Sequence, residues 1–78
     1  RGRCEQTGMT FVLSGTGIGR SPWSPSIDRI DSSRGYTRDN VQLVCLSYNL
    51  AKSNFTDDDV LQMAKGMIMH TYPSADAA

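Results

Sequence analysis

At 78 residues, with 38% of them hydrophobic and only one Trp, three Tyr and two Phe, the chain has room for one small domain with a thin core. Eight basic residues balance eight acidic ones, so the overall charge does not mark a nucleic-acid binder. No apolar run approaches the roughly 18–20 residues of a membrane span, and no secretory signal pattern is visible, which favours reduced thiols over one disulfide at Cys4 and Cys45. The opening on Arg1 reads as a fragment or a trimmed start, and the Ser-Ala-Asp-Ala-Ala tail as a frayed end. So small a core invites support from an ion, a partner or neighbouring sequence.

The distribution of charge is more telling than its sum. All six arginines (1, 3, 20, 29, 34 and 38) lie in the first half, and the acidic run Asp57-Asp58-Asp59 comes later. A basic face and an acidic helix end coexist at zero net charge.

In chain order, CEQTGMTFVL (4–13) predicts a turn at Thr7-Gly8 and then a short apolar strand. The Gly-, Pro- and Ser-rich stretch 14–25 predicts an irregular loop, with Trp23 folding back as a lid over the core. Ser26–Ile30 reads as a short strand. Asp31-Ser32-Ser33-Arg34-Gly35 supplies turn chemistry, with Gly35 free to take positive φ, and Thr37–Asn40 forms a second turn. Val41–Val44 alternates as a half-buried strand. From Leu46 the spacing becomes helical through Lys52. A last helix starts at Thr56, where Thr56 and Asp59 match a capping box and Phe55 and Val60 a hydrophobic staple. Val60, Met63, Ala64 and Met67 mark its apolar face, with Leu61 and Ile68 beside it.

Six features occur together and in order: Cys4-x-x-Thr7-Gly8, the strand Asp28-Arg29-Ile30-Asp31, the Gly35-Tyr36 turn, Asp39-Asn40-Val41, Val44-Cys45, and Asn49-x-x-Lys52. This layout resembles the ββα-metal (HNH-type) nuclease core over about residues 4–54. It looks like the phage and bacterial variant that reads DRID where most relatives carry the first histidine. The resemblance implies an α+β fold: a β-hairpin plus helix, followed by an additional C-terminal amphipathic helix at about 57–70, all within a single domain, 1–78. It implies a metal-dependent endonuclease that hydrolyses DNA phosphodiester bonds in the cytoplasm of a bacterial or phage-infected cell, with no membrane partner. The alternative is a module that keeps the fold, binds nucleic acid or serves structure, and does not cleave.

Carried over position by position, Asp28 and Asn49 match the metal ligands, on Mg²⁺ or a similar hard divalent ion that suits carboxylate and amide oxygens. Asn40 matches the catalytic-site residue that braces the hairpin. Lys52 matches a phosphate contact, joined in that role by Arg29, Arg34 and Arg38. Arg29 occupies the place of the general base. A guanidinium has no acceptor, so it grips phosphate but cannot take a proton from water. Asp31, two residues on and on the same strand face, is the candidate base. Metal-bound hydroxide and His70 follow it.

Several other patterns point to ordinary structure. Each CxxC knuckle that would hold zinc keeps only its first cysteine, at Cys4 and Cys45, and two thiolates do not make a four-coordinate site. The two are expected to lie close together in the core as small apolar residues. Gly15-Thr-Gly17-Ile-Gly19 lacks the spacing and the Lys of a phosphate loop. The triple Asp suits a helix N-terminus, and His70 a helix C-terminus.

Overall fold

The computed structural model describes residues 2–13 and 21–76. The loop Gly15–Gly19 lies outside these residues. The order of elements is strand β1 (Pro25–Arg29), a 3-10 turn (Arg38–Asn40), strand β2 (Val41–Cys45), helix α1 (Leu46–Lys52), helix α2 (Asp57–Thr71) and a closing 3-10 turn (Pro73–Asp76). It is a small α+β arrangement, a two-stranded antiparallel hairpin followed by two helices.

β1 and β2 pair in register from Pro25 opposite Cys45 to Arg29 opposite Val41, which places Asp28 opposite Gln42 and Ser26 opposite Val44. Alternation sends Gln42 and Val44 inward and leaves Leu43 outside. The connection between the strands is built from short-range turns. Asp31 O accepts from Arg34 N at 3.0 Å, and Thr37 O from Asn40 N at 2.8 Å. Gly35 is not among the described glycines with positive φ, which are Gly2 and Gly8. Its contribution is instead a carbonyl that accepts from Asn40 Nδ2.

The N-terminal segment departs from the expected strand. A turn over Glu5–Thr7, with Gly8 at φ 73, closes through Gly8 N to Cys4 O at 2.8 Å. Beyond it, among the described residues, one isolated bridge forms, Arg3 to Thr10. Among the described residues, Glu5 takes the free edge of β2: its N–H donates to Leu43 O, and its carboxylate accepts from Leu43 N. Residues 9–13 therefore have no ladder to join, and Val12 and Leu13 are exposed.

α1 begins without a side-chain cap on Cys45. Its first free N–H groups are satisfied by the preceding loop, Leu46 N donating to Ser24 O at 2.8 Å and Ser47 N to Pro22 O at 2.9 Å. This is the work of the Pro22–Ser24 segment. Trp23 is no lid: its side chain is exposed, and its carbonyl accepts from Val12 N. The helix ends in a tight turn. Phe55 N donates to Lys52 O, and Ser53 stands at φ 48, ψ −118, the first central position of a type II′ turn. α2 then starts with the predicted capping box, Thr56 and Asp59 bonding each other's backbone N–H.

The core is as thin as the composition implies: Cys4, Phe11, Val44 and Cys45, with Tyr48 packed against them. The two cysteines share that cluster as free thiols. The predicted apolar face of α2 is only partly used. Val60 is buried, whereas Leu61, Met63, Met67 and Ile68 are exposed, as is Phe55 of the expected staple.

Candidate functional site: a braced hairpin over a buried ammonium

Asn40 sits at the end of the strand connection and is 1% exposed. Its Oδ1 accepts from Asp31 N at 2.9 Å, and its Nδ2 donates to Asp31 O at 3.0 Å and Gly35 O at 2.9 Å. Two carbonyls only accept and one N–H only donates, so these partners fix the amide orientation. One side chain thus stitches both ends of the loop.

Beneath the hairpin lies a polar network that the sequence reading did not assemble. Lys52 is 0% exposed and Asp28 is 5%. Lys52 Nζ donates to Asp28 Oδ2 at 2.6 Å, Arg29 O at 2.7 Å and Ile30 O at 3.0 Å. An ammonium has three protons, and all three are spent on these oxygens. Asp57 Oδ1 lies 3.5 Å away on the other side. Gln42 Nε2 donates to both carboxylates, Asp28 Oδ2 and Asp57 Oδ1, at 2.9 Å each, and Gln42 Oε1 accepts from Gln6 Nε2. Tyr48 donates its hydroxyl to Asp57. Burial, then the Asp57 hydrogen bond and charge, raise the Tyr48 hydroxyl above its ordinary range, which keeps the phenol a donor. Lys52 was expected on a phosphate. In this arrangement it is enclosed and joins α1 to β1 instead.

Two signals in the sequence point to this network. Gln42 falls at an inward register position next to Val44, and a polar residue on a buried face needs a polar partner. Asp57 begins a helix beside two further acids, so its reading as dipole partner alone hides its second role.

Asn49, one helical turn before Lys52, donates Nδ2 to Ser26 Oγ at 2.7 Å and Ile27 O at 3.2 Å. The Ile27 carbonyl fixes this amide orientation too. Its Oδ1 has no hydrogen-bond partner among the described residues. Asn49 thus ties α1 to β1.

The predicted phosphate-binding arginines line the loop side of the hairpin. Arg29 donates Nη1 to Arg34 O at 3.1 Å, and its guanidinium carbon stands 5.1 Å from the centre of the exposed Tyr36 ring, a cation–π arrangement. Arg34 pairs with Asp39 at 2.9 Å, both well exposed, and Arg38 is exposed. Asp31 lies just past β1, in the turn. Its carboxylate accepts from Ser33 Oγ and Ser33 N, and these bonds hold it below the usual carboxylate range. A lowered pKa makes a weaker base. His70 lies in the last turn of α2.

The two thiols of the incomplete knuckles are engaged within the chain. Burial raises the Cys4 thiol, but hydrogen bonds from the Thr7 side chain and from the Cys45, Thr7 and Gln6 backbones outweigh it and leave the thiol lowered. Thr7 N approaches Cys4 Sγ at 3.4 Å, and Cys45 Sγ contacts Ser47 Oγ at 3.5 Å.

A divalent ion on Asp28 would compete with a cation already there. The Asp28 oxygen facing the junction already holds an ammonium at 2.6 Å. A second, doubly charged cation about 4 Å from that ammonium would meet roughly 8 kcal/mol of repulsion at an effective dielectric of about 20, before its attraction to Asp28 and Asp57 is counted. No known protein family, curated protein or solved structure matches the chain. Among the described residues no helix is long and apolar enough to cross a membrane.

Proposed function

We propose that this chain is an HNH-like domain that grips the DNA backbone with the loop side of its hairpin. Arg29, Arg34 and Arg38 bind phosphates, and Asn40 holds the loop that carries them. The observation that supports this reading is the posture of Arg29. It stands where the resemblance puts the general base, and is propped by the Arg34 carbonyl and the Tyr36 ring. A propped guanidinium loses little rotamer freedom when it takes a phosphate bidentately. Its remaining N–H donors have no partner among the described residues. Arg34 joins by exchanging Asp39 for phosphate, which its exposure permits at small cost.

Metal-dependent phosphodiester hydrolysis, the endonuclease activity of the family this chain resembles, is the second reading. Asn49 favours it, with an amide oxygen left without a partner among the described residues at a metal-ligand position. Against it stand the ammonium on Asp28, the absence of an acceptor on Arg29 and the weakened basicity of Asp31.

Duplex binding measured across salt, run beside nicking of supercoiled plasmid with Mg²⁺, Mn²⁺ or EDTA, separates the two. Binding that weakens with salt, with a shallower slope for Arg29→Gln and Arg38→Gln and without metal-dependent nicking, supports the grip reading. Nicking that requires metal and is lost in Asn49→Ala and Asp28→Ala makes the chain an endonuclease. Neither binding nor nicking overturns both.

A further inference from the structure

Lys52 Nζ is the centre of a shell of oxygens: Asp28 Oδ2 at 2.6 Å, Arg29 O at 2.7 Å, Ile30 O at 3.0 Å and Asp57 Oδ1 at 3.5 Å. Two carboxylates and two main-chain carbonyls facing one point form a donor set of the kind that holds a hard cation. The oxygens come from β1, the residues just past it, and the first turn of α2. The cation comes from the last residue of α1. The shell therefore ties the hairpin and both helices to one point.

We propose that the Lys52 ammonium is the built-in cation of this domain. It fills the cation position at the hairpin–helix junction, so that the fold needs no divalent ion there. Emptying the position turns the oxygen shell into a divalent-cation site. Charge and size support this. With Lys52 present, two carboxylates face one positive charge. Without it, two negative charges match one Ca²⁺. The three nearer donors, at 2.6–3.0 Å, require only a slight contraction to reach the 2.3–2.6 Å of Ca²⁺–oxygen bonds and a larger one to reach Mg²⁺ at about 2.0–2.1 Å, while Asp57 Oδ1, at 3.5 Å, must close by about 1 Å. Gln42, bonded to both carboxylates, holds them in place after the ammonium is gone. The inference stands on this junction alone and does not depend on DNA binding.

The test is thermal unfolding of the full chain, with EDTA, CaCl₂ or MgCl₂ as the only variable, for wild type, Lys52→Ala and Lys52→Ala/Asp28→Asn. Wild type is expected to melt at the same temperature in EDTA and in either salt. Lys52→Ala is expected to melt lower in EDTA, or not to fold, and to recover with Ca²⁺ as mass action requires, more than with Mg²⁺. The double variant, with one carboxylate gone, is expected to lose most of that recovery. A wild type that is stabilised by either divalent ion overturns the proposal, because the position is then not already filled. A Lys52→Ala chain that ignores millimolar Ca²⁺, folded or not, overturns the claim that the shell is a cation site. Recovery that persists in the double variant places the ion elsewhere and overturns it as well.

Discussion

Replacing Asn40 tests the brace that holds the hairpin loop in shape. Asn40→Ala removes three hydrogen bonds made by a side chain that is 1% exposed. At roughly 0.5–1.5 kcal/mol net per bond, and with three backbone groups losing partners, the cost is about 2–4 kcal/mol. A domain of this size has about 4–12 kcal/mol in all, so the melting temperature should drop by roughly 10–30 °C. Asn40→Asp is the sharper variant. It keeps the shape and the acceptor for Asp31 N, but turns an oxygen toward the carbonyls of Asp31 and Gly35. It should cost at least as much as alanine at neutral pH. Urea denaturation followed by circular dichroism measures both. An Asn40→Asp protein within about 0.5 kcal/mol of wild type would refute the assignment of the amide as double donor, and with it the brace.

Other substitutions probe the remaining parts of the frame. Lys52→Met should cost about 3–5 kcal/mol by leaving Asp28 buried and uncompensated, and Lys52→Met with Asp28→Asn should cost clearly less than the sum of the single changes, as a double-mutant cycle reads out. Ser53→Gly should stabilise the chain by about 1 kcal/mol, because φ 48, ψ −118 is glycine territory; destabilisation would contradict the type II′ turn. Asp31, Asp39 and Asp59 are held below the ordinary carboxylate value of 3.8 by hydrogen bonds from Ser33, from Thr37 and Arg34, and from Thr56 respectively. The unfolded chain therefore binds more protons near that pH. Their contribution is present above 3.8 and is lost as pH falls through the lowered native values, so denaturant midpoints should fall through that window, and less steeply in Asp31→Asn.

The frame was legible where local chemistry decides it. Alternation placed β2, turn residues placed the connection, and the Thr56–Asp59 pair placed the start of α2, all within about a residue. Asn40 was readable because a turn-terminal Asn bonds nearby backbone whatever the fold does elsewhere. Lys52 was not. A lysine on a short helix looks solvent-facing, and its burial depends on Asp28 and two carbonyls 22–24 residues away, with Asp57 just past the helix. The strand expected at 9–13 failed for a similar reason. Its apolar residues are present, but Glu5 already occupies the edge of β2. The face of α2 shows that periodicity predicts an apolar stripe, not what covers it.

The most direct test of the DNA-grip reading is a titration of ¹⁵N-labelled protein with a short duplex, followed by amide chemical shifts. Shifts concentrated at Arg29, Arg34, Gly35, Tyr36 and Arg38, weakening as salt rises, are the predicted result. Shifts confined to α2, or no shifts at low salt, would contradict the account and leave the hairpin as a scaffold alone.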